Sequence, residues 1–165
     1  MDGILEKLDS YNILTNLLPG AFFVVGLRYV LGIEFPVKGI AEEIVLYYFA
    51  GLVISRLGSF ITEPFLKRIG FVKFAPPSDF IEASGLDSKI QDLSGMNNHF
   101  RSLLTATVCI PVVWGVRLLT GICPFWGAHR NGLLVLGLGI LFLFSYRKQT
   151  AYVREHVEKA LEFKN

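Results

Sequence analysis

The chain has 165 residues, of which 52% are hydrophobic and 18% charged, with a net charge of +2 and a mean hydropathy of +0.49. A soluble domain carries about 25% charged residues, so this composition excludes an ordinary water-soluble core. All 14 acidic residues and 13 of the 16 basic ones lie outside four apolar stretches, which is the segregation that a hydrocarbon slab imposes.

The four stretches are 13–33, 44–62, 103–122 and 132–146. Against the ~20 apolar residues needed to cross a bilayer, they predict an all-α polytopic membrane protein. It is a four-transmembrane-helix bundle forming a single membrane domain, with a cytoplasmic linker over 63–100 and a C-terminal cytoplasmic helix over 147–163. Asp2, Glu6, Lys7 and Asp9 precede the first apolar run, and no small-x-small cleavage pattern follows it, so the first span is expected to be retained rather than removed as a signal peptide. Within it, Pro19, Gly20, Gly26 and Gly32 permit close or irregular packing. The second span carries Gly51, Ser55 and Ser59 at four-residue spacing, with Gly58 adjacent. Such a strip of small residues lets another helix approach closely, within the protomer or between subunits.

In the linker, Ser78 is expected to cap a short helix running through Ala83 and Ser84 and closed by Gly85. A second short helix from about Asp87 to Leu93 is expected to end at Gly95. Phe80, Ile81, Ile90 and Leu93 give these pieces an apolar side suited to the membrane surface. The third span contains Pro111, which removes an intrahelical hydrogen bond and predicts a kink, read either as a packing irregularity or as a gating element. The fourth span covers only about 22 Å of a ~30 Å hydrocarbon core, unless it begins earlier, near Trp126. No helix breaker separates it from the tail, where Val153, Val157, Ala160 and Leu161 follow helical spacing and Arg154 with Glu158 and Glu155 with Lys159 form opposed pairs. Val153, Val157 and Leu161 are the candidate face for a partner. Tyr47, Tyr48, Trp114, Trp126 and Tyr146 sit where aromatic belts form.

With four crossings both termini share a side. Eleven basic residues fall on that side, in the N-terminal segment, the linker and the tail, whereas the opposite loops hold only Lys38 and Arg130. The positive-inside rule makes the basic side cytoplasmic.

Three arginines remain inside the spans: Arg28, Arg56 and Arg117, with no aspartate or glutamate inside the spans to oppose them. Each costs roughly 2.5–3.5 kcal/mol at mid-helix on insertion scales. One reading has them snorkel to lipid phosphates, with Arg56 paired locally to Glu63. The other makes them a polar lining for an anion or water path created when several copies assemble. Catalysis inside a membrane needs paired acids, a nucleophile with a base, or a metal set, and the sequence offers none. His99, His129 and His156 are scattered without partners at ligand spacing, and Cys109 and Cys123 are too few for a zinc site or a disulfide framework. No enzyme activity, cofactor, metal or direct nucleic-acid binding is expected.

The run YNILTNLLPG from Tyr11 to Gly20, the run YYFAG from Tyr47 to Gly51 with Ile54, Ser55 and Arg56, and the run FSYRKQT from Phe144 to Thr150 resemble a group of small uncharacterised multi-span bacterial inner-membrane proteins. Some proteins of that general kind act as effectors in anti-phage defence, where a sensor releases them and the membrane is permeabilised. The resemblance implies a multi-pass protein of the bacterial cytoplasmic membrane, working as an oligomeric channel or permeabilising effector. The alternative is a structural subunit that anchors a soluble cytoplasmic partner through the linker and tail. The expected partners are the lipid bilayer, further copies of the chain and, under the alternative, that soluble protein.

Overall fold

The computed structural model describes residues 2–122 and 124–162, with side chains described from Thr15 onward except at scattered positions from 120 to 130 and beyond 155. Six helices make up the fold: α1 (Asp2–Leu31), α2 (Ile40–Leu57), α3 (Glu63–Arg68), α4 (Pro77–Leu86), α5 (Lys89–Ile122) and α6 (Pro124–Glu162). A π-helical turn, Gly58–Thr62, joins α2 to α3 without a break. Among the described residues there is no strand. Three helical stretches are long and apolar enough to cross a membrane: Ile40–Arg68, Lys89–Leu119 and Asn131–Glu155. A shorter apolar stretch, Thr15–Leu31, lies in α1.

The hairpin of α1 and α2 is built on two glycines. A Cβ added at Gly20 would overlap the Tyr47 carbonyl oxygen, and one added at Gly51 would overlap the Asn16 carbonyl oxygen. Asn16 and Gly20 are one turn apart on α1, as are Tyr47 and Gly51 on α2. Each glycine therefore receives the carbonyl one turn before the other, an approach compatible with Cα–H···O contacts and open only to residues without a side chain. Arg28 meets Glu43 further along the same seam, so the two helices run antiparallel.

The left-handed Gly32 (φ +60°) ends α1, and Gly70 (φ +76°) ends α3. At Gly70 the Phe71 N–H bonds the Leu66 carbonyl and the Gly70 N–H bonds the Lys67 carbonyl, a Schellman closure that only a residue without Cβ adopts at low cost.

Several linker expectations are corrected. Ser78 does not cap α4; Pro76 holds the cap position and the Ser78 hydroxyl bonds Asp79 instead. Nor does Gly85 close that helix, which runs on to Leu86. The second short helix does not exist as a separate element, because α5 starts at Lys89, with its N–H on the Asp87 carboxylate, and passes straight through Gly95 into the third apolar stretch. A mid-helix glycine costs about 1 kcal/mol relative to alanine, too little to stop a helix at Gly95, where no proline stands beside it. The helix also continues through Pro111. The tail continues the last apolar stretch as one helix, as anticipated, giving α6 a length of about 58 Å at 1.5 Å per residue. Only residue 123 separates α5 from α6, so Arg130 lies in a helix rather than in a loop. Cys123 lies outside the described residues, as do the side chains of Trp126, His156 and Leu161.

The buried interior is small and made of small groups. Val24, Leu27, Ile54 and Ala106 are its apolar members, joined by Ser102, Thr105 and Ser145. Each of those three hydroxyls donates to a carbonyl four residues back, at Asn98, Arg101 and Leu141, so none is buried unsatisfied. Large apolar side chains point outward instead: Val135 is 68% exposed, Leu143 67% and Val112 56%. So many bulky apolar side chains outside so small an interior invert the arrangement of a water-soluble protein and suit a lipid environment.

Candidate functional site

The π turn has an identifiable cause and a consequence. The Glu63 N–H bonds the Gly58 carbonyl, five residues back, rather than that of Ser59. The next backbone nitrogen, at position 64, belongs to proline and carries no hydrogen. The Ser59 carbonyl is thereby released from the helical ladder. Lys148, arriving from α6, takes it: its ammonium donates to Ser59 O at 3.2 Å and to Ser59 Oγ at 2.5 Å, and it lies over the Phe60 ring at 5.5 Å. Phe60 and Phe144, with centroids 6.5 Å apart, extend the same α2–α6 contact. A π turn inside a longer helix frequently marks a functional position, and here it fastens the last third of α6 to the end of the second apolar rod.

Helix α5 approaches the same turn from another side. Gly58 makes room for it, since a Cβ there would lie 2.8 Å from Thr105 Oγ1 and 3.4 Å from Arg101 Nε. The Thr62 and Thr105 hydroxyls share a hydrogen bond of 2.9 Å. Glu63 is the hub: one carboxylate oxygen accepts from Lys67 Nζ at 2.8 Å and the other from Arg101 Nη1 at 2.5 Å. Both side chains of the Glu63–Arg101 pair are mostly buried, which strengthens the attraction and raises the cost of removing either partner. Arg101 Nε is buried with no acceptor among the described residues.

Charge at this end does not balance. Lys148 lies within electrostatic range of Glu63 and of three other cations, Arg101, Lys67 and Arg56, so positive charge outnumbers negative around it. Beside the cluster, a cavity of about 150 Å³ is lined by Glu63 and Arg101 together with Leu66, Phe71, Phe74 and Phe100. Lys67 Nζ sits 4.2 Å from the centre of the Phe74 ring at its edge.

The three arginines singled out in the sequence do not converge within one chain. Arg28 bonds Glu43 at 2.5 Å and Tyr47 Oη at 3.2 Å at the far end of the α1–α2 hairpin. It therefore has an opposing carboxylate after all, one that stands just before the second apolar stretch and becomes a neighbour only when the hairpin closes. Arg117 donates to the Leu31 carbonyl at 2.6 Å, satisfying an orphan acceptor at the end of α1. It borders a groove of about 500 Å³ with Val30, Leu31, Trp114 and Leu118. Arg56 stands at the opposite end, 13 residues beyond Glu43 on the same helix, or about 20 Å. It does not pair with Glu63, whose oxygens are taken, and it makes no hydrogen bond or ion pair among the described residues.

The small-residue strip divides its work among three neighbours. Gly51 packs on α1, Gly58 admits α5, and Ser59 receives α6, while Ser55 is half-buried between them. On the tail, Arg154 pairs with Glu158 at 2.9 Å, and Val153 and Val157 are each 52% exposed.

Sequence reasoning missed Glu63, Arg101 and Lys148 as a group because they are 38 and 47 residues apart along the chain. The dipeptide Glu63-Pro64 after Gly58 was the available signal, since a proline inside an unbroken apolar helix must release a carbonyl. No protein-family model matches this chain, and neither a curated protein nor a solved structure matches it.

Proposed function

We infer that the protein is a non-enzymatic, four-crossing component of a bacterial cytoplasmic membrane, with both termini in the cytoplasm, working as an oligomeric channel or membrane-permeabilising effector. The observation that carries this reading is the cation cluster around Lys148, with Arg101, Lys67 and Arg56 in its electrostatic range and Arg56 unpaired among the described residues. A lone guanidinium at the end of an apolar helix is costly unless water, phosphate or a neighbouring copy receives it. Since Arg28 and Arg117 are engaged within the chain, Arg56 is the arginine left to line a path between copies. The exposed apolar faces of α5 and α6 supply surface for assembly. Release by a sensor in anti-phage defence is the biological setting this reading suits.

Overproduction in bacterial cells should then arrest growth, admit a membrane-impermeant dye and collapse the membrane potential. Arg56→Leu should weaken all three at equal expression. A normal membrane potential at high expression overturns the reading.

One observation favours a second reading, that of an anchor for a soluble partner: Val153 and Val157 are exposed on the same side of α6, beyond the Lys148 attachment. Truncation after Thr150 should then abolish co-purification of that partner while the bundle stays folded.

A further inference from the structure

We propose that the cluster formed by Arg56, Arg101 and Lys148 around the π turn is a binding site for the headgroup phosphate of an anionic phospholipid. Each oxygen of the Glu63 carboxylate already accepts a bond, one from Lys67 and the other from Arg101. Lys148 donates to the two Ser59 oxygens, both neutral acceptors, so no carboxylate bonds it directly. Arg56 has no acceptor among the described residues, while Arg101, whose Nε is enclosed by protein and out of a ligand's reach, adds its charge to the cluster. A phosphate diester supplies a full negative charge and several acceptor oxygens, which suits guanidinium and ammonium groups held on three different helices.

The surroundings select a lipid as the source of that phosphate. The cluster lies in the second half of the Ile40–Arg68 stretch, where the charged residues Arg56, Glu63, Lys67 and Arg68 enter an otherwise apolar helix. Phe65, Phe71 and Phe100 are exposed beside it at 59%, 76% and 64%. Exposed phenylalanine rings give acyl chains an apolar surface beside the charges, and clustered basic residues at the end of an apolar helix read as a site for anionic lipid. The apolar cavity bordered by Leu66, Phe71, Phe74 and Phe100 offers room for the first carbons of a chain next to Arg101.

The proposal rests on the membrane reading above but not on conduction. The full chain, purified in a neutral detergent, is titrated with short-chain phosphatidylglycerol, with short-chain phosphatidylcholine and with inorganic phosphate, and binding is followed by the thermal midpoint and by native mass spectrometry. Phosphatidylglycerol is expected to bind at least about tenfold more tightly than phosphatidylcholine, and Arg56→Gln and Lys148→Gln should each weaken it about tenfold, the scale of one charge-assisted hydrogen bond. Lys73→Gln, on the exposed linker, should leave it unchanged.

Equal affinity for the two lipids overturns the proposal, as does full affinity in both cluster variants with intact helical circular dichroism. Inorganic phosphate binding as tightly as phosphatidylglycerol overturns the assignment to lipid. Should the variants fail to fold, the wild type decides: binding unaffected by salt between about 0.05 and 0.3 M refutes a charge-driven site. A protein that binds the lipid yet leaves the membrane potential intact keeps this site and loses the channel.

Discussion

Gly51→Ala tests the packing on which the fold depends, because two effects of opposite sign compete there. Alanine is better than glycine in a helix interior by about 1 kcal/mol, so on propensity alone the substitution stabilises. Its methyl group, however, would overlap the Asn16 carbonyl oxygen, and both the obstacle and the added atom belong to rigid helices. No rotamer relieves the clash; α1 and α2 must move apart. Overpacking of this kind costs about 1–3 kcal/mol, with a further ~0.5–1 kcal/mol if a Cα–H···O contact is lost. The expected net effect is a destabilisation of about 1–2 kcal/mol, read by unfolding the purified protein in mixed micelles of increasing dodecyl sulfate fraction. Two comparators fix the interpretation. Gly137→Ala, on α6, meets nothing within 4 Å and should be neutral or mildly stabilising. Gly26→Ala meets only the flexible end of Ile110, at 2.5 Å, and should fall between. If Gly51→Ala behaved like Gly137→Ala, the glycine-mediated hairpin would be refuted.

The remaining predictions concern polar groups. Removing Glu43 in Glu43→Gln takes the carboxylate from Arg28, so the variant should lose stability in detergent, and a cycle with Arg28→Gln should give a non-zero coupling of the two side chains; additivity would dismiss the pair. Glu63→Gln is expected to cost about 1–3 kcal/mol in the same unfolding assay, since it leaves Arg101 mostly buried beside Lys67 and Lys148 with no carboxylate between them. Lys148→Met removes the donor to the Ser59 carbonyl. It should raise hydrogen exchange around Ser59 and along α6 beyond Tyr146 without unfolding the hairpin, whereas unchanged exchange would mean that the contact fastens nothing.

The anion-path reading of three intramembrane arginines drew on their position in the sequence, where no acidic residue lies inside the spans. Arg28 shows why such a reading fails to close on its own. Its carboxylate partner lies 15 residues away across a turn, and which residue of the next helix lands opposite it depends on the register that Gly20 and Gly51 impose. The π turn teaches a similar lesson: Pro64 was visible, but which carbonyl it would release, and that Lys148 would arrive to receive it, depended on how α6 packs.

Composition and hydrophobic periodicity by themselves determined that the chain is helical, that its long apolar helices suit a bilayer, and that the tail prolongs the last of them. These properties follow from transfer free energies and local backbone preferences, which act residue by residue or turn by turn. The tertiary structure alone decided that α5 runs unbroken through Gly95, that Arg28 and Arg117 are satisfied within the chain, that Lys67 and Arg101 share Glu63, and that Lys148 arrives within electrostatic range of them and of Arg56. Those outcomes depend on which faces meet, and helix contacts made through glycine, serine and threonine carry too little apolar signal for the sequence to announce them.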